Sequence, residues 1–309
     1  MHGNQAHTTG EQTTFSEHRR FTQPRANEAE STKTRSISTR QMVLLAPSTA
    51  HVPVSFARLD VDPVRHRQLL ETAQRLRARS YLHDGAIEPW QVSKDGRFKQ
   101  EGDEQSWHLL VLDSTGKVGG CARYRPHRAD VAFSTLSVSK SAIAKAQDWG
   151  PKLRGAIQAD LQQARQRGIG YVECGGWALA DDLRCSTEAV RMALSMYALA
   201  RICGGVLGVT TATTRHHSSD ILRRIGGQSL KVGPLDVPPY YDPQYACEME
   251  ILRFDSSAPQ QRFESKVQTY ELDLSQAPVV QSGTSELWAR TLMNATEGSL
   301  RNRSSRLPS

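Results

Sequence analysis

The chain has 309 residues, of which 38% are hydrophobic, and it carries a formal net charge of +7. Arginine and lysine are scattered among acidic residues, which argues against a nucleic-acid-binding surface and suits an anionic small ligand or an acidic carrier protein. The one early apolar run, residues 42–46, is too short to span a bilayer or to form a secretory core, so the sequence predicts a cytoplasmic protein without a membrane span.

The two ends of the chain have the composition of disordered segments. Residues 1–53 are rich in Thr, Ser, Gln and Arg and show almost no apolar periodicity, so they cannot bury enough surface to offset the entropy of ordering. Residues 282–309 end in Asn, Arg, Ser and Pro, with one short helix expected at 286–293. The sequence therefore predicts a disordered N-terminal tail, a single domain over residues 54–281, and a mostly disordered C-terminal tail.

Hydrophobic periodicity predicts helices and strands in alternation along this domain. The predicted helices, each with apolar residues at helical spacing, are 63–81, 149–166, 187–203 and 219–225. The predicted strands, each rich in β-branched or other apolar residues, are 107–112, 118–124, 171–179, 206–212 and 245–254. Strands that alternate with helices indicate a mixed sheet covered on both faces.

The region before the first strand is expected to be polar and solvated. Arg75, Arg77 and Arg79 of the first helix are interpreted as a solvated face, with docking of an acidic carrier as the alternative. Residues 82–105 contain three glycines among polar residues, which indicates a loop.

The stretch from Glu173 to Ala189 carries the most chemical information. A strand runs into a short acidic turn, followed by Arg184 and by small residues that open a helix with Ser186 as its expected N-cap. Such an arrangement directs free backbone N–H groups and the positive end of a helix dipole at one point. The pattern therefore suits a pyrophosphate or phosphopantetheine group held without a metal.

Here the sequence resembles the GNAT superfamily, whose donor-binding signature is Gln or Arg, two residues, Gly, one residue, and Gly or Ala. Arg184 and Ala189 match its first and last positions, and Thr187 stands where the family has glycine. The resemblance implies a GNAT-like α/β fold: a mixed, mostly antiparallel central sheet with a splayed strand and helices on both faces. It also implies acyl-CoA or acyl-carrier protein as co-substrate, with no permanently bound cofactor. The donor-binding residues expected from it are Trp177, Leu179, Arg184, Cys185, Ser186, Thr187 and Ala189.

The sequence is most similar to the acyl-homoserine-lactone (autoinducer) synthases within this superfamily. Their central strand has Glu, any residue, Ser, Arg and Phe followed by two apolar residues. Glu173 and residues 177–179 match this pattern, and Gly175-Gly176 replaces the Ser-Arg pair. The residues around Gly119 to Arg123 and the segment 220–226 add further likeness, so the resemblance covers about residues 76–233.

An amine that attacks a thioester must lose a proton, and a carboxylate on the central strand can accept it. Glu173 is the candidate base, and its pairing with an arginine such as Arg123 is the alternative. Arg123 is the candidate for binding an acceptor carboxylate, since a guanidinium forms two parallel hydrogen bonds with that group. Tyr240 and Tyr241 lie in a proline-flanked segment that either lines the acceptor pocket or packs as a loop.

The sequence supports an N-acyltransferase that moves an acyl group to the amine of a small molecule, an amino-acid-like acceptor being one option. A GNAT-like protein that binds an acyl-thioester or another partner without turnover is the second hypothesis, because Leu222 and Arg223 stand where many acetyltransferases have a tyrosine acid. No metal site is expected, since the adjacent His216 and His217 have no third ligand at a metal spacing.

Overall fold

The computed structural model of the protein describes residues 40–184 and 186–283, without the side chain of His216. Its α-helices are α1 (Pro63–His83), α2 (Ala142–Lys145), α3 (Gly150–Arg167), α4 (Glu188–Ile202), α5 (Ser218–Ile225) and α6 (Glu264–Gln276). Its strands are β1 (Gln41–Ala46), β2 (Arg58–Val61), β3 (Trp107–Leu112), β4 (Val118–His127), β5 (Gly170–Leu179), β6 (Val206–Thr213), β7 (Gln228–Ser229), β8 (Lys231–Val232), β9 (Leu235–Asp236), β10 (Tyr240–Asp242), β11 (Cys247–Asp255) and β12 (Pro278–Gln281).

One large mixed sheet organises the fold. Its strands lie in the order β10-β11-β6-β5-β4-β3-β1-β12-β2, and β7 pairs with β11. The pairs β1–β12, β12–β2 and β5–β6 are parallel, and the remaining pairs of this sheet are antiparallel. The expected α/β class with a mixed, mostly antiparallel sheet is therefore confirmed.

Helices cover both faces of the sheet, as alternating side chains along its strands show. In β1, Val43 and Leu45 pack with residues of α1, whereas Leu44 packs in the cluster that contains residues of α4 and α6. In β5, Tyr171 packs against α3 and Val172 packs on the α4 side. Because strand side chains alternate between faces, α1 and α3 lie on one face and α4 and α6 on the other.

The expected start of the domain at residue 54 needs a correction. β1 lies inside the segment 1–53 that composition predicted to be disordered, yet it pairs with β3 and with β12 and is buried from Met42 to Ala46. Composition did not indicate this strand, because its six residues follow a polar segment and are buried by strands that lie far along the chain. The C-terminal helix expected at 286–293 lies outside the described residues.

Several other expectations differ from the structure in detail. The segment with Tyr240 is a strand rather than a loop, and α5 begins at Ser218, one residue before the predicted start. The helix α6 and the strands β2 and β12 were not predicted. Among the described helices, none has the length and apolarity needed to cross a membrane.

Candidate active site

The strands β5 and β6 separate part-way along their length. They pair only where Gly170–Glu173 lies beside Val206–Val209, and the Thr210 hydroxyl then donates to the Cys174 carbonyl at 2.8 Å. Beyond this point a cavity of about 590 Å³ opens between the two strands. It is lined by residues 173–179 of β5 and 209–213 of β6, and by side chains from α1, α4, α5 and β10. The expected splayed strand is thus present, and the β6-facing edge of residues 175–179 borders the cavity.

A bulge in β5 lies at the mouth of this separation. The pairing between β4 and β5 slips between Cys121 and Arg123, and Gly176 has a positive φ of 61°. A Cβ atom on Gly176 would lie 2.9 Å from Arg77 Nη1 and 3.2 Å from Arg123 Cβ. Glycine adopts this conformation without strain, and its lack of a Cβ atom leaves room for both arginines. The Gly175-Gly176 pair that departs from the autoinducer-synthase pattern therefore allows two arginines to lie directly against the strand.

Those two arginines share one buried carboxylate. Arg77 binds Asp103 through both guanidinium nitrogens, at 3.1 and 2.7 Å, and Arg123 Nη1 lies 3.4 Å from the same carboxylate. The expectation that Arg77 is solvated is wrong, because it is only 1% exposed. Burial alone would raise the pKa of Asp103, but the Arg77 guanidinium outweighs it and holds that pKa at about 2.

The cluster of Arg77, Asp103 and Arg123 carries one positive charge in excess. Burial lowers the pKa of Arg123, and Asp103 offsets only part of that effect. Nε of Arg77 and Nε of Arg123 are buried and have no hydrogen-bond partner among the described residues. Arg123 lines the cavity, so the excess positive charge is available to an anionic ligand there.

Glu173 also lines the cavity, at the point where the strands part. It is 5% exposed, and its carboxylate accepts hydrogen bonds from His127 Nε2 at 3.0 Å and from the Val138 N–H at 2.9 Å. The alternative role, pairing with a neighbouring arginine, involves Arg125, whose Nη1 lies 4.0 Å from Glu173 Oε2, rather than Arg123. Burial would raise the pKa of Glu173, but the hydrogen bonds from His127 and from backbone N–H groups outweigh it and lower that pKa below its ordinary value.

The turn that leads into α4 contributes Arg184 and Ala189 to the cavity lining. The Arg184 guanidinium is engaged by Asp84 at 2.7 and 3.3 Å, by Ser80 Oγ at 2.9 Å and by Asp181 at 3.2 Å. The predicted anion-binding arginine is thus paired with two carboxylates, which together carry one more negative charge than it can neutralise.

The start of α4 differs in detail from the expected capped helix. The helix begins at Glu188, and the Ser186 hydroxyl accepts a hydrogen bond from the Glu188 N–H at 3.2 Å. Trp177 and Leu179 line the cavity, as a donor-binding edge requires, whereas Ser186 and Thr187 are not among its lining residues. Cys185 lies outside the described residues.

A small apolar chamber of about 80 Å³ adjoins the cavity on the α4 side of the sheet. The two spaces share six lining residues: Arg123, Cys174, Gly175, Trp177, Thr210 and Leu222. The chamber is otherwise lined mostly by apolar side chains, among them Val172, Ala193, Met196, Tyr197, Ile225 and Phe254. Burial raises the pKa of the Cys174 thiol to about 12, so that side chain is uncharged beside an apolar ligand.

Several cavity residues were not predicted from the sequence. Gln100 and Glu101 come from the segment expected to be a solvated loop, and Lys140 pairs with Glu101 across the cavity lining. Tyr240 lines the cavity, whereas Tyr241 is 64% exposed and does not. Tyr245 also lines it, and burial raises its pKa. Of the cavity-lining residues in this paragraph, Tyr240 alone had been a candidate from the sequence, because prolines flank its segment.

Solved structures to which this chain is similar include several acyltransferases. No protein-family model matches the chain, and no curated protein sequence matches it. Among solved structures, the chain is similar to the CoA-dependent acyl-homoserine lactone synthase BjaI with SAM and isopentyl-CoA (TM-score 0.44, 14% identity, 80% of this chain and 95% of that chain).

Two further solved structures have other acceptors in their names. One is FeeM, an N-acyl amino acid synthase from uncultured soil microbes (TM-score 0.41, 11% identity, 71% of this chain and 92% of that chain). The other is a polyamine N-acetyltransferase of Drosophila melanogaster (TM-score 0.41, 12% identity, 70% of this chain and 100% of that chain). Of these three proteins, BjaI is an acyl-homoserine lactone synthase, the group that the sequence resemblance named.

Proposed function

We propose that the protein is an N-acyltransferase that takes an acyl group from a thioester donor and transfers it to the amine of a small, carboxylate-bearing acceptor. The observation that carries this proposal is the cavity between β5 and β6, which joins an unpaired strand edge, an apolar chamber and an arginine with excess positive charge. An acyl thioester matches the first two features, through its pantetheine amides and its apolar chain, and the carboxylate of the acceptor matches the third.

On this proposal the donor lies along residues 175–179 of β5. Its pantetheine amides pair with the exposed edge of the strand, as an added strand does, and its acyl chain enters the chamber beside Trp177. The phosphate groups lie at the turn from Arg184 to Ala189, where the N-terminus of α4 supplies backbone N–H groups and a positive dipole end. Acyl-CoA and acyl-carrier protein both present this chemistry.

The acceptor occupies the other end of the cavity. Its carboxylate binds Arg123, and its ammonium group loses a proton to Glu173, directly or through a water. The neutral amine attacks the thioester carbonyl, the new C–N bond forms, and the C–S bond breaks as the thiolate leaves. As the C–S bond breaks, the attacking nitrogen loses its second proton, which reaches the thiolate through water or through the hydroxyl of Tyr245, a group that burial keeps protonated by raising its pKa. Tyr245 then recovers the proton that it gave, and Glu173 releases the first proton to solvent.

Thiol release measures this reaction directly. Purified full-length protein is incubated with acyl-CoAs of increasing chain length and with a panel of amines, half of which carry a carboxylate. We expect amine-dependent release of free thiol and an acylated product of the matching mass, with carboxylate-bearing amines preferred. Absence of thiol release with every amine, under conditions in which acyl-CoA binds, would contradict the proposal.

The second candidate function is binding of an acyl thioester without turnover. It is favoured by the lowered pKa of Glu173, whose carboxylate is already hydrogen-bonded, and by the two carboxylates around Arg184. This candidate predicts that acyl-CoA raises the melting temperature while no amine releases thiol.

A further inference from the structure

The strand β2 and its neighbours expose an unusual amount of apolar surface. Of the nine large apolar side chains that are strongly exposed in the described residues, four lie between residues 54 and 64. They are Val54, Leu59, Val61 and Val64, and their exposed fractions range from 48% to 100%. Single exposed apolar residues are ordinary, but two of these four, Leu59 and Val61, lie together on the edge strand β2, which is typical of a surface that another chain covers.

The backbone of β2 is open on the side away from β12. In the described part of the chain, β2 is the last strand of the large sheet. The Asp62 N–H donates to the Gln281 carbonyl across the parallel β2–β12 pair. The backbone N–H and C=O groups of successive strand residues point to opposite sides. The groups of Asp60 therefore also face β12, and the groups of Leu59 and Val61 face away from it. The outward groups form an edge to which a further strand can pair.

The sequence of β2 is complementary to itself in one antiparallel register. If Leu59 lies opposite Leu59 of a second copy, the outward-facing backbone groups meet and Arg58 lies opposite Asp60 of the second copy, twice. A register centred on Asp60 would place two carboxylates opposite each other. A register centred on Val61 would place Asp60 opposite Asp62. Cross-strand charge therefore selects the first register.

The charged groups are free to make these pairs. Arg58 is exposed, and the Asp60 carboxylate is 58% exposed; among residues 40–184 and 186–283 its one ion pair is with Arg65, at 3.6 Å. An exposed ion pair at that distance contributes little, so a cross-strand pair replaces it at small cost.

We propose that two copies of the protein associate through antiparallel pairing of β2 with β2, which continues the sheet across a twofold axis. The dimer joins the two outward strand edges through Leu59 and Val61, covers their apolar side chains, and is held in register by two Arg58–Asp60 pairs. This interface lies at the sheet end opposite β10 and does not depend on the acyl-transfer reaction.

Sedimentation of the full-length protein over a range of concentrations tests the proposal. We expect a dimer with twice the 34.3 kDa mass of the chain. Arg58→Asp and Asp60→Arg should each raise the dissociation constant at least tenfold, because each places like charges opposite each other. The double charge swap should restore the dimer, which a general loss of folding would not do.

Two further variants separate the edge from the rest of the surface. Leu59→Pro removes an outward N–H without removing a bond to β12, and it should abolish the dimer while the melting temperature reports that the chain still folds. Leu235→Asp, at an exposed leucine of the separate β8–β9 sheet, should leave the dimer unchanged. A protein that stays monomeric at 100 µM, or a dimer insensitive to both single charge changes, would overturn the proposal.

Discussion

The two arginine sites of the cavity have opposite charge balances. At one end, Arg77 and Arg123 share the single carboxylate of Asp103. At the other end, Arg184 is held by two carboxylates, those of Asp84 and Asp181. The sequence motif pointed to Arg184 as the anion site, yet the excess positive charge lies at Arg123. A motif arginine can therefore attract an anion only if its neighbouring carboxylates leave its charge uncompensated.

The largest expected effect concerns Asp103, on which the first site depends. Asp103→Asn leaves two buried guanidinium groups without a counter-charge, and we expect a loss of about 3–5 kcal/mol in the free energy of unfolding. Asp181→Asn, at a side chain that is 82% exposed, should change it by less than about 0.5 kcal/mol. Denaturant titration of both variants measures the contrast, and equal effects would contradict it.

The pH dependence of stability tests the same carboxylate. The folded pKa of Asp103 is about 2, below the ordinary value of about 3.9 for an unfolded chain. The contribution of Asp103 to the free energy of unfolding is therefore present above the unfolded pKa and is lost as the pH falls toward 2. Unfolding midpoints measured from pH 6 to pH 2 should fall more steeply for the wild-type protein than for Asp103→Asn.

Substitution of Glu173 distinguishes the two candidate functions, acyl transfer and binding without turnover. Glu173→Gln should lower kcat by about 100-fold or more and change the donor KM little, since general base catalysis typically contributes that much. Hydrogen bonds from His127 and from backbone N–H groups hold the pKa of Glu173 below its ordinary value, so its carboxylate is ionised at neutral pH. The acid limb of the kcat/KM profile should therefore follow the pKa of the acceptor amine. Full activity of Glu173→Gln would remove the assigned base.

Arg123→Gln tests whether the arginine at the acceptor end of the cavity binds the acceptor carboxylate. Loss of a charged hydrogen-bonding partner should lower kcat/KM by about 10- to 100-fold for carboxylate-bearing amines. Amines without a carboxylate should be affected much less. Steady-state kinetics with matched amine pairs measure the difference, and an equal loss for both classes would assign Arg123 a structural role only.

The smallest expected effect is at the balanced end. Arg184→Ala should raise the donor KM by about fivefold or less, because its charge is already compensated. Asp84→Asn, which releases part of that charge, should instead lower the donor KM. If Arg184→Ala alone abolished donor binding, the charge-balance argument would be wrong.

Local patterns predicted the elements whose partners are close in the chain. The β3–β4 hairpin, α3, β5, α4 and β6 were all expected within a few residues of their observed bounds, because periodicity and glycine stops define them. β1 and β12 were missed, since each is short and pairs with a strand more than 200 residues away in the chain. Tertiary pairing, rather than local propensity, makes them strands.

The site was predictable only in part for the same reason. Glu173, Arg123 and the turn at Arg184 stood out by their position on strands and at a helix start. Asp103 gave no signal, because it lies in a polar segment whose burial against α1 no periodicity indicates. The bulge at Gly176 could have been predicted, because a glycine pair inside a strand is typical of a bulge.

The most direct test of the central claim is a crystal structure of the full-length protein with a non-reactive acyl-CoA analogue. The account predicts pantetheine amides paired with residues 175–179 of β5, the acyl chain in the chamber beside Trp177, and phosphates at the start of α4. An analogue bound elsewhere, with the space between β5 and β6 empty, would contradict the account.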